Sequence, residues 1–106
     1  MESIKFKMWK NVLRTLTEIH IRVSKRGIDS FTKIALLGID DMGLTQAQGL
    51  RVVLDLHRSM LFKSMTTHAD HRVWQDVYHA PGPNGRTAYI KVAIQQGATV
   101  IQFKER

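Results

Sequence analysis

Residues 86–104 read RTAYIKVAIQQGATVIQFK, and this stretch decides the fold. Apolar and polar residues alternate on both sides of Gln96-Gly97, and a period of two is typical of a β-strand with one buried face. A glycine in a short connection favours a tight turn. The stretch therefore predicts two antiparallel strands, residues 86–95 and 98–104, that are joined by this turn.

The alternation also divides the side chains of both strands between two faces, because neighbouring residues of a strand point in opposite directions. The set that contains Ile90 is apolar and is predicted to form the core. The other set leaves polar side chains on the opposite face, namely Tyr89, Lys91, Gln102 and Lys104. The sheet is therefore predicted to present a tyrosine and basic groups on the face opposite the core.

Two earlier segments, residues 61–67 and 72–79, have the same strand-like character, with many β-branched and aromatic residues. The sequence PGPNG at residues 81–85 is rich in turn-forming residues and separates the second segment from residues 86–95. The second half of the chain is therefore predicted to contain four strands in succession.

The same parity rule assigns faces in these two earlier strands. Lys63 is predicted to point away from Phe62, and Gln75 away from Trp74. If the apolar members face the core, one face of the sheet gathers Lys63, Gln75, Tyr89 and Lys104.

The first part of the chain has a helical period instead. Apolar positions recur at steps of three or four residues and predict a helix over residues 4–26, which ends before Gly27. The residues of this face are Phe6, Trp9, Leu13, Leu16, His20 and Val23.

Residues 28–31 are predicted to form a short strand, and residues 34–42 a second helix. Thr45 and Gln48 have the spacing of a capping box, which predicts a third helix that runs to about residue 58. Helices thus precede the sheet. The predicted fold class is α+β, an antiparallel β-sheet packed on one face by N-terminal helices.

Length and composition limit the classes of function. A chain of 106 residues is the size of one domain, so residues 1–106 are predicted to form a single domain. The formal net charge of +7 favours a polyanionic partner such as RNA or DNA. The absence of cysteine excludes disulfides and thiolate chemistry. No stretch has the character of a signal peptide or a membrane span, so we expect a cytoplasmic protein without a membrane partner.

The set Lys63, Gln75, Tyr89 and Lys104 suits cleavage of RNA by its own 2'-hydroxyl. Cations such as Lys63 and Lys104 would stabilise the charge that develops on the phosphate oxygens. Tyr89 would transfer a proton or donate a hydrogen bond to the phosphate, and Gln75 would orient the 2'-hydroxyl or a base edge. Each residue also has an ordinary interpretation, because exposed lysines protect strand edges and a tyrosine on a half-buried sheet contributes packing.

The histidines give a weaker signal. His68 and His71 have the spacing of a metal-ligand pair, but no third ligand follows from the sequence. We therefore predict no metal site and no cofactor. His71 and His79 can titrate near neutral pH and contact phosphate, and acid–base catalysis by His71 is a variant of the cleavage hypothesis.

A different class of function uses the same face of the sheet. In this alternative the protein is a non-catalytic module that binds single-stranded nucleic acid, with Trp74 and Tyr78 as stacking platforms. Core packing is the ordinary interpretation of both aromatic residues, and it is the one we prefer for Trp74. A third possibility is a catalytically silent chain whose main activity is to bind another protein.

Several motifs resemble one known family. They are FKSMTT at residues 62–67, DH at 70–71, WQDVY at 74–78, YIK at 89–91 and FKE at 103–105. In these motifs, and more loosely from about residue 17 onward, the chain resembles the motility quorum-sensing regulator family, the MqsR toxins.

The resemblance implies a toxin of a bacterial type II toxin–antitoxin system with a fold like that of the RelE ribonucleases. Such toxins cleave mRNA without the ribosome at short sites that contain GC, until an antitoxin that carries zinc and a helix-turn-helix binds them. The family's catalytic positions correspond to Lys63, Gln75, Tyr89 and Lys104. We also predict RNA contacts for Met65, His71 and Lys91.

The sequence departs from the family just before the motif lysine. Family members commonly have Asp-Phe-Tyr-Lys, whereas this chain has Met60-Leu61-Phe62-Lys63. Phe62 lacks the hydroxyl that would form one hydrogen bond to RNA, so the base preference of this chain is expected to differ.

Overall fold

In the described part of the chain, five strands form one antiparallel sheet, and their order in space is their order in the chain. The structure is a computed structural model that describes residues 3–4, 9–66, 72–95 and 97–106. The elements are β1 (Ser3–Ile4), α1 (Trp9–Arg26), a 3-10 turn (Gly27–Ser30), α2 (Lys33–Asp41), α3 (Gln46–Leu54), a second 3-10 turn (Arg58–Met60), β2 (Leu61–Thr66), β3 (Trp74–Pro81), β4 (Thr87–Gln95) and β5 (Ala98–Glu105).

The core lies between the three helices and one face of the sheet. Ile90 and Val92 of β4 and Ile101 and Phe103 of β5 are fully buried in one cluster with apolar side chains of the helices. These are the residues that the alternation assigned to the core. The predicted α+β class, with N-terminal helices on one face of an antiparallel sheet, is confirmed.

Helix α1 differs from its prediction in its start and in its buried face. Residues Ser3–Ile4 form β1 and pair with β2, so the helix does not begin at residue 4. Trp9 and Leu13 were predicted to face the core, but they are 56% and 38% exposed. The face is rotated because tertiary packing selects a competing apolar stripe; its buried residues are Val12, Leu16, Ile19 and Val23. No described helix combines the length and the apolar character that crossing a membrane requires.

The connections between helices contain two further corrections. The predicted short strand at residues 28–31 is wrong, because Gly27–Ser30 forms a 3-10 turn. The capping box is confirmed, since Thr45 Oγ1 accepts from the Gln48 N–H and the Gln48 side chain accepts from the Thr45 N–H. Helix α3 ends at Leu54 rather than near residue 58, and the chain then turns inward to bury Leu56, which is 2% exposed.

Helix α2 lies along the backbone of β5. The Thr32 hydroxyl caps α2 by accepting from the Ala35 N–H at 3.1 Å, and it also donates to the Ile101 carbonyl at 2.9 Å. One side chain therefore both begins the helix and fixes it to the strand. A helix in this position covers a strand at the border of the sheet, whose free backbone groups would otherwise be open to other chains.

Tyr78 of β3 is fully buried on the helix side, and its hydroxyl oxygen has no hydrogen-bond partner within the described residues. Burial, together with the nearby Asp76, raises the pKa of this phenol, so it stays protonated. A buried polar group without a partner costs free energy of folding. We therefore expect Tyr78→Phe to stabilise the protein by about 1 kcal/mol in urea unfolding. A loss of stability would contradict this expectation and would show that the hydroxyl is hydrogen-bonded in solution.

Candidate active site

The face of β2–β5 that points away from the helices is called the open face. Cross-strand partners point to the same side of a sheet, so the register identifies its members. Its residues include Phe62, Lys63, Met65, Gln75, Val77, His79, Tyr89, Lys91, Ala93, Val100, Gln102 and Lys104.

A β-bulge at the start of β2 brings Phe62 onto this face. Leu61 pairs with Tyr78 and Lys63 with Val77, so β2 advances two residues where β3 advances one. The Phe62 ring stacks on His79, with ring centroids 4.3 Å apart and an angle of 19° between the planes. The Lys63 Nζ lies 5.6 Å from the Phe62 centroid. The prediction that Phe62 and Lys63 point to opposite faces is therefore wrong, because the bulge breaks the alternation.

A row of side chains crosses the open face from β2 to β5. His79 is the cross-strand partner of Tyr89, and their ring centroids are 5.8 Å apart at 42°. Tyr89 is in turn the partner of Lys104, whose Nζ lies 4.9 Å from the Tyr89 ring centroid. This distance is within the range of a cation–π contact. We call Phe62, His79 and Tyr89 the aromatic row; it has Lys63 beside its first ring and Lys104 beside its last.

The charge on this face has one sign. The strands β2–β5 place Lys63, Lys91 and Lys104 on the open face. These four strands contain two acidic residues, Asp76 and Glu105, and both point to the helix side, opposite Val92 and Ala88. The described strands therefore place lysines and no carboxylate on this face, which favours a polyanion as ligand.

The four predicted catalytic residues share this face, but the structure brings only two of them into contact. Tyr89 and Lys104 are direct partners. Lys63 is two strands from Tyr89, which at about 4.8 Å per strand places the two backbones about 10 Å apart. His79 occupies the strand between them.

Gln75 lies farther along the sheet. It is four residues from His79 on β3, a distance of about 13 Å along the strand. Its side chain is half-buried, and its Oε1 is buried without a hydrogen-bond partner in the described part of the chain. Gln75 lines a small cavity of about 10 Å³ together with Lys91 and Gln102. Gln75 is therefore not next to Tyr89, although it has an unused acceptor.

The three residues that were predicted only to contact RNA have different positions. Lys91 is half-buried on the open face, between the rows of Tyr89 and Gln75. Met65 also belongs to this face, but its side chain is fully buried, and that burial gives no support to its predicted contact with RNA. His71 lies outside the described residues, as does His68.

The aromatic residues proposed as stacking platforms are on the wrong side of the sheet. Trp74 and Tyr78 share the parity of Asp76 and point toward the helices, and Tyr78 is fully buried. Their use as platforms is therefore contradicted for Tyr78 and not supported for Trp74. Phe62, which is 56% exposed, is the aromatic residue that the open face offers to a base.

His79 has a more central position than the sequence indicated. Its ring lies between those of Phe62 and Tyr89, and neither ring nitrogen has a hydrogen-bond partner among the residues that the structure describes. Burial of the ring, and then the positive charge of Arg106, lower the pKa of His79 from its ordinary value. Parity in β3 would have assigned His79 to the same face as Gln75, so the signal was present but was not used.

A larger cavity, of about 640 Å³, lies between α3 and the turn after β3. Its lining includes Arg51 and Asp55, which form an ion pair at 2.7 Å, and apolar residues such as Val52 and Met60. None of the predicted catalytic residues lines it. The chemistry of the open face therefore does not depend on this cavity.

Comparison with known proteins gives two matches. The profile of the family described as Motility quorum-sensing regulator, toxin of MqsA, matches residues 7–105. The mRNA interferase toxin MqsR of Escherichia coli (strain K12) is 37% identical over 75 residues, which are 71% of this chain and 76% of that protein. The profile begins at residue 7, so it also covers most of the segment before residue 17 to which the motifs did not extend.

Proposed function

The chain belongs to the family of motility quorum-sensing regulators, the toxins of MqsA, and from this membership we propose that it is an endoribonuclease that cleaves mRNA. The relative in Escherichia coli is named an mRNA interferase. The family description calls its members toxins of MqsA, which implies an antitoxin as their partner. The activity is therefore that of the toxin of a toxin–antitoxin system.

The open face supports this proposal because it can hold the RNA backbone and a base at the same time. Lys63, Lys91 and Lys104 supply positive charge for phosphates. Phe62 supplies an exposed ring on which a base can stack. Strands position these groups more rigidly than loops would, which favours catalysis over loose binding.

The contact between Tyr89 and Lys104 carries the proposal. In cleavage by the 2'-hydroxyl, a bond forms between O2' and phosphorus, and the bond from phosphorus to O5' breaks. Negative charge develops on the non-bridging oxygens, and the Lys104 ammonium would stabilise it. The Lys104 Nζ lies 4.9 Å from the Tyr89 ring centroid, and the Tyr89 hydroxyl would give its proton to O5' or donate a hydrogen bond to the phosphate. Lys63 would bind a neighbouring phosphate, since it lies at the other end of the row.

The finer features of the activity follow the family resemblance. We propose a type II system in the cytoplasm, and cleavage without the ribosome at short sites that contain GC. We propose that no metal ion is needed, because lysine side chains can supply the positive charge at the phosphate. The antitoxin would carry zinc and a helix-turn-helix. Gln75 is retained as a catalytic candidate. It would contact a different part of the RNA from Tyr89, because it lies about 13 Å along β3 from His79, the cross-strand partner of Tyr89.

Purified protein and a 5'-labelled RNA test these features together. The RNA would contain several GC steps, and a matched RNA would have each GC replaced by CG. We expect cuts only in the first RNA, without ribosomes, and the same rate in the presence of EDTA. The upstream product should end in a 2',3'-cyclic phosphate. Dependence on ribosomes or on a metal ion would contradict the corresponding feature.

The non-catalytic module remains the second candidate, because the exposed ring of Phe62 and the uniform charge of the open face would also serve binding alone. The same experiment separates the two functions in a native gel. RNA that is retarded but intact after long incubation would support the binding module and contradict the nuclease.

A further inference from the structure

We propose that His79 is a further catalytic residue of this site, the general base that accepts the proton of the 2'-hydroxyl. The inference rests on the proposed RNA cleavage and assigns the one proton transfer that the lysines and Tyr89 leave without an acceptor. It adds a second residue from β3, besides Gln75, to a site that also uses β2, β4 and β5.

The position of the ring is the first argument. His79 is the direct cross-strand partner of Tyr89, so the two side chains leave the sheet next to each other on the same face. The ring is held between two others, stacked on Phe62 at 4.3 Å and tilted toward Tyr89 at 5.8 Å. An imidazole fixed in this way loses little further freedom when RNA binds.

The chemistry of its neighbours is the second argument. Among the described residues, the charged and titratable groups that face His79 are Lys63 on β2, Tyr89 and Lys91 on β4, Lys104 on β5, and Arg106, which follows β5. Lysine ammonium and arginine guanidinium groups are donors only and cannot take up a proton. The described strands place no carboxylate on this face, so the imidazole is the acceptor that is available near Tyr89.

The protonation state of the imidazole agrees with this role. Burial of the ring and the nearby Arg106 lower the pKa of His79. A lowered pKa keeps the imidazole neutral at physiological pH, and a neutral ring nitrogen accepts a proton. Neither ring nitrogen is engaged by another residue in the described part of the chain, so one of them is available to RNA.

The step then balances as follows. His79 takes the proton from O2', and O2' forms its bond to phosphorus as the bond from phosphorus to O5' breaks. Tyr89 gives a proton to O5', which leaves as the hydroxyl of the downstream product. The resulting imidazolium returns its proton to the Tyr89 phenolate, directly or through water, and the enzyme is restored.

His79→Gln tests the proposal, with His57→Gln as the matched control. His57 is exposed, bonds Ser59 and is absent from the open face. We expect His79→Gln to lower kcat by about a hundredfold with little change in KM, as for the loss of a general base. The wild-type rate should fall at acid pH, below the ordinary pKa of histidine, because the base becomes protonated there. This fall in rate at acid pH is the acid limb of the pH–rate profile. The residual activity of His79→Gln should lack it, whereas His57→Gln should show it as the wild type does.

A second variant provides a readout that a purely structural role would not change. His79→Ala leaves a space between Phe62 and Tyr89, and added imidazole should restore cleavage there in proportion to its neutral fraction. Thermal unfolding of each variant shows whether it is folded. If one His79 variant is unfolded, the acid limb of the wild type and the activity of the other variant still test whether His79 is the general base.

The outcomes separate this inference from the proposed function. If wild-type protein cleaves RNA and His79→Gln cleaves at a similar rate with the same acid limb, His79 is not the base, and the nuclease proposal stands. A large loss of kcat with an unchanged acid limb and no rescue by imidazole would also overturn the inference, since it would indicate a structural role. If wild-type protein does not cleave RNA, the proposed function itself fails.

Discussion

Lys104→Ala is expected to lower kcat for RNA cleavage by about a hundredfold to a thousandfold, the range for loss of one preorganised group that stabilises developing negative charge. The Lys104 Nζ lies 4.9 Å from the Tyr89 ring, at the end of the aromatic row. Its side chain is exposed, so the substitution removes a charge without opening a cavity in the core. The single-turnover rate at saturating protein measures this effect apart from binding.

Lys25→Ala is the matched control for this prediction. Lys25 is an exposed lysine in the last turn of α1, on the opposite side of the sheet, and its loss changes the net charge by the same amount. We expect Lys25→Ala to cleave at nearly the wild-type rate. An equal, small loss in both variants would indicate that Lys104 contributes only general attraction for RNA. Lys104→Arg should retain part of the rate, because it keeps the charge but changes the geometry.

Gly38→Ala is expected to destabilise the protein by about 3 kcal/mol or more, because the added methyl group would collide with backbone. A Cβ at Gly38 of α2 would lie 1.7 Å from the carbonyl oxygen of Phe103 on β5. Backbone atoms cannot rotate away as a flexible side chain can, so the helix and the strand would have to separate. Helix propensity alone predicts the opposite sign, since alanine is favoured over glycine in a helix by about 1 kcal/mol.

Urea unfolding of Gly38→Ala measures this effect, and Leu37→Ala is its control on the same helix. Leu37 is 57% exposed, so shortening it should change the free energy of unfolding by less than about 1 kcal/mol. A stable Gly38→Ala protein would show that α2 does not lie as close to β5 as the structure has it. The strand that would be displaced carries Lys104, so we also expect slower cleavage by Gly38→Ala.

Much of the fold was predictable because its signals are local. The two strands that flank Gly97 were correct to within one residue at each end, and the capping box of Thr45 and Gln48 began α3 as predicted. Alternation and capping depend on residues close together in the chain. The face of α1 was misassigned because two apolar stripes compete in its sequence, and packing against the sheet selects between them.

The candidate site was only partly predictable. Parity correctly indicated that Tyr89 and Lys104 lie on the same side, and the register adds that they are direct partners. It failed at Phe62, where the bulge is set by pairing with β3. The distances of Lys63 and Gln75 from Tyr89 follow from strand order and register, which no local pattern contains.

The sequence by itself determined the four long strands, the apolar face of the last two, and the family to which the chain belongs, since these depend on residue types and on spacing within short segments. The tertiary structure alone decided that Phe62 turns onto the open face, that His79 lies between two rings, and that Gly38 touches the backbone of β5. The physical reason is that such contacts join residues far apart in the chain. They are selected by the packing of the whole molecule and not by the preferences of any one segment.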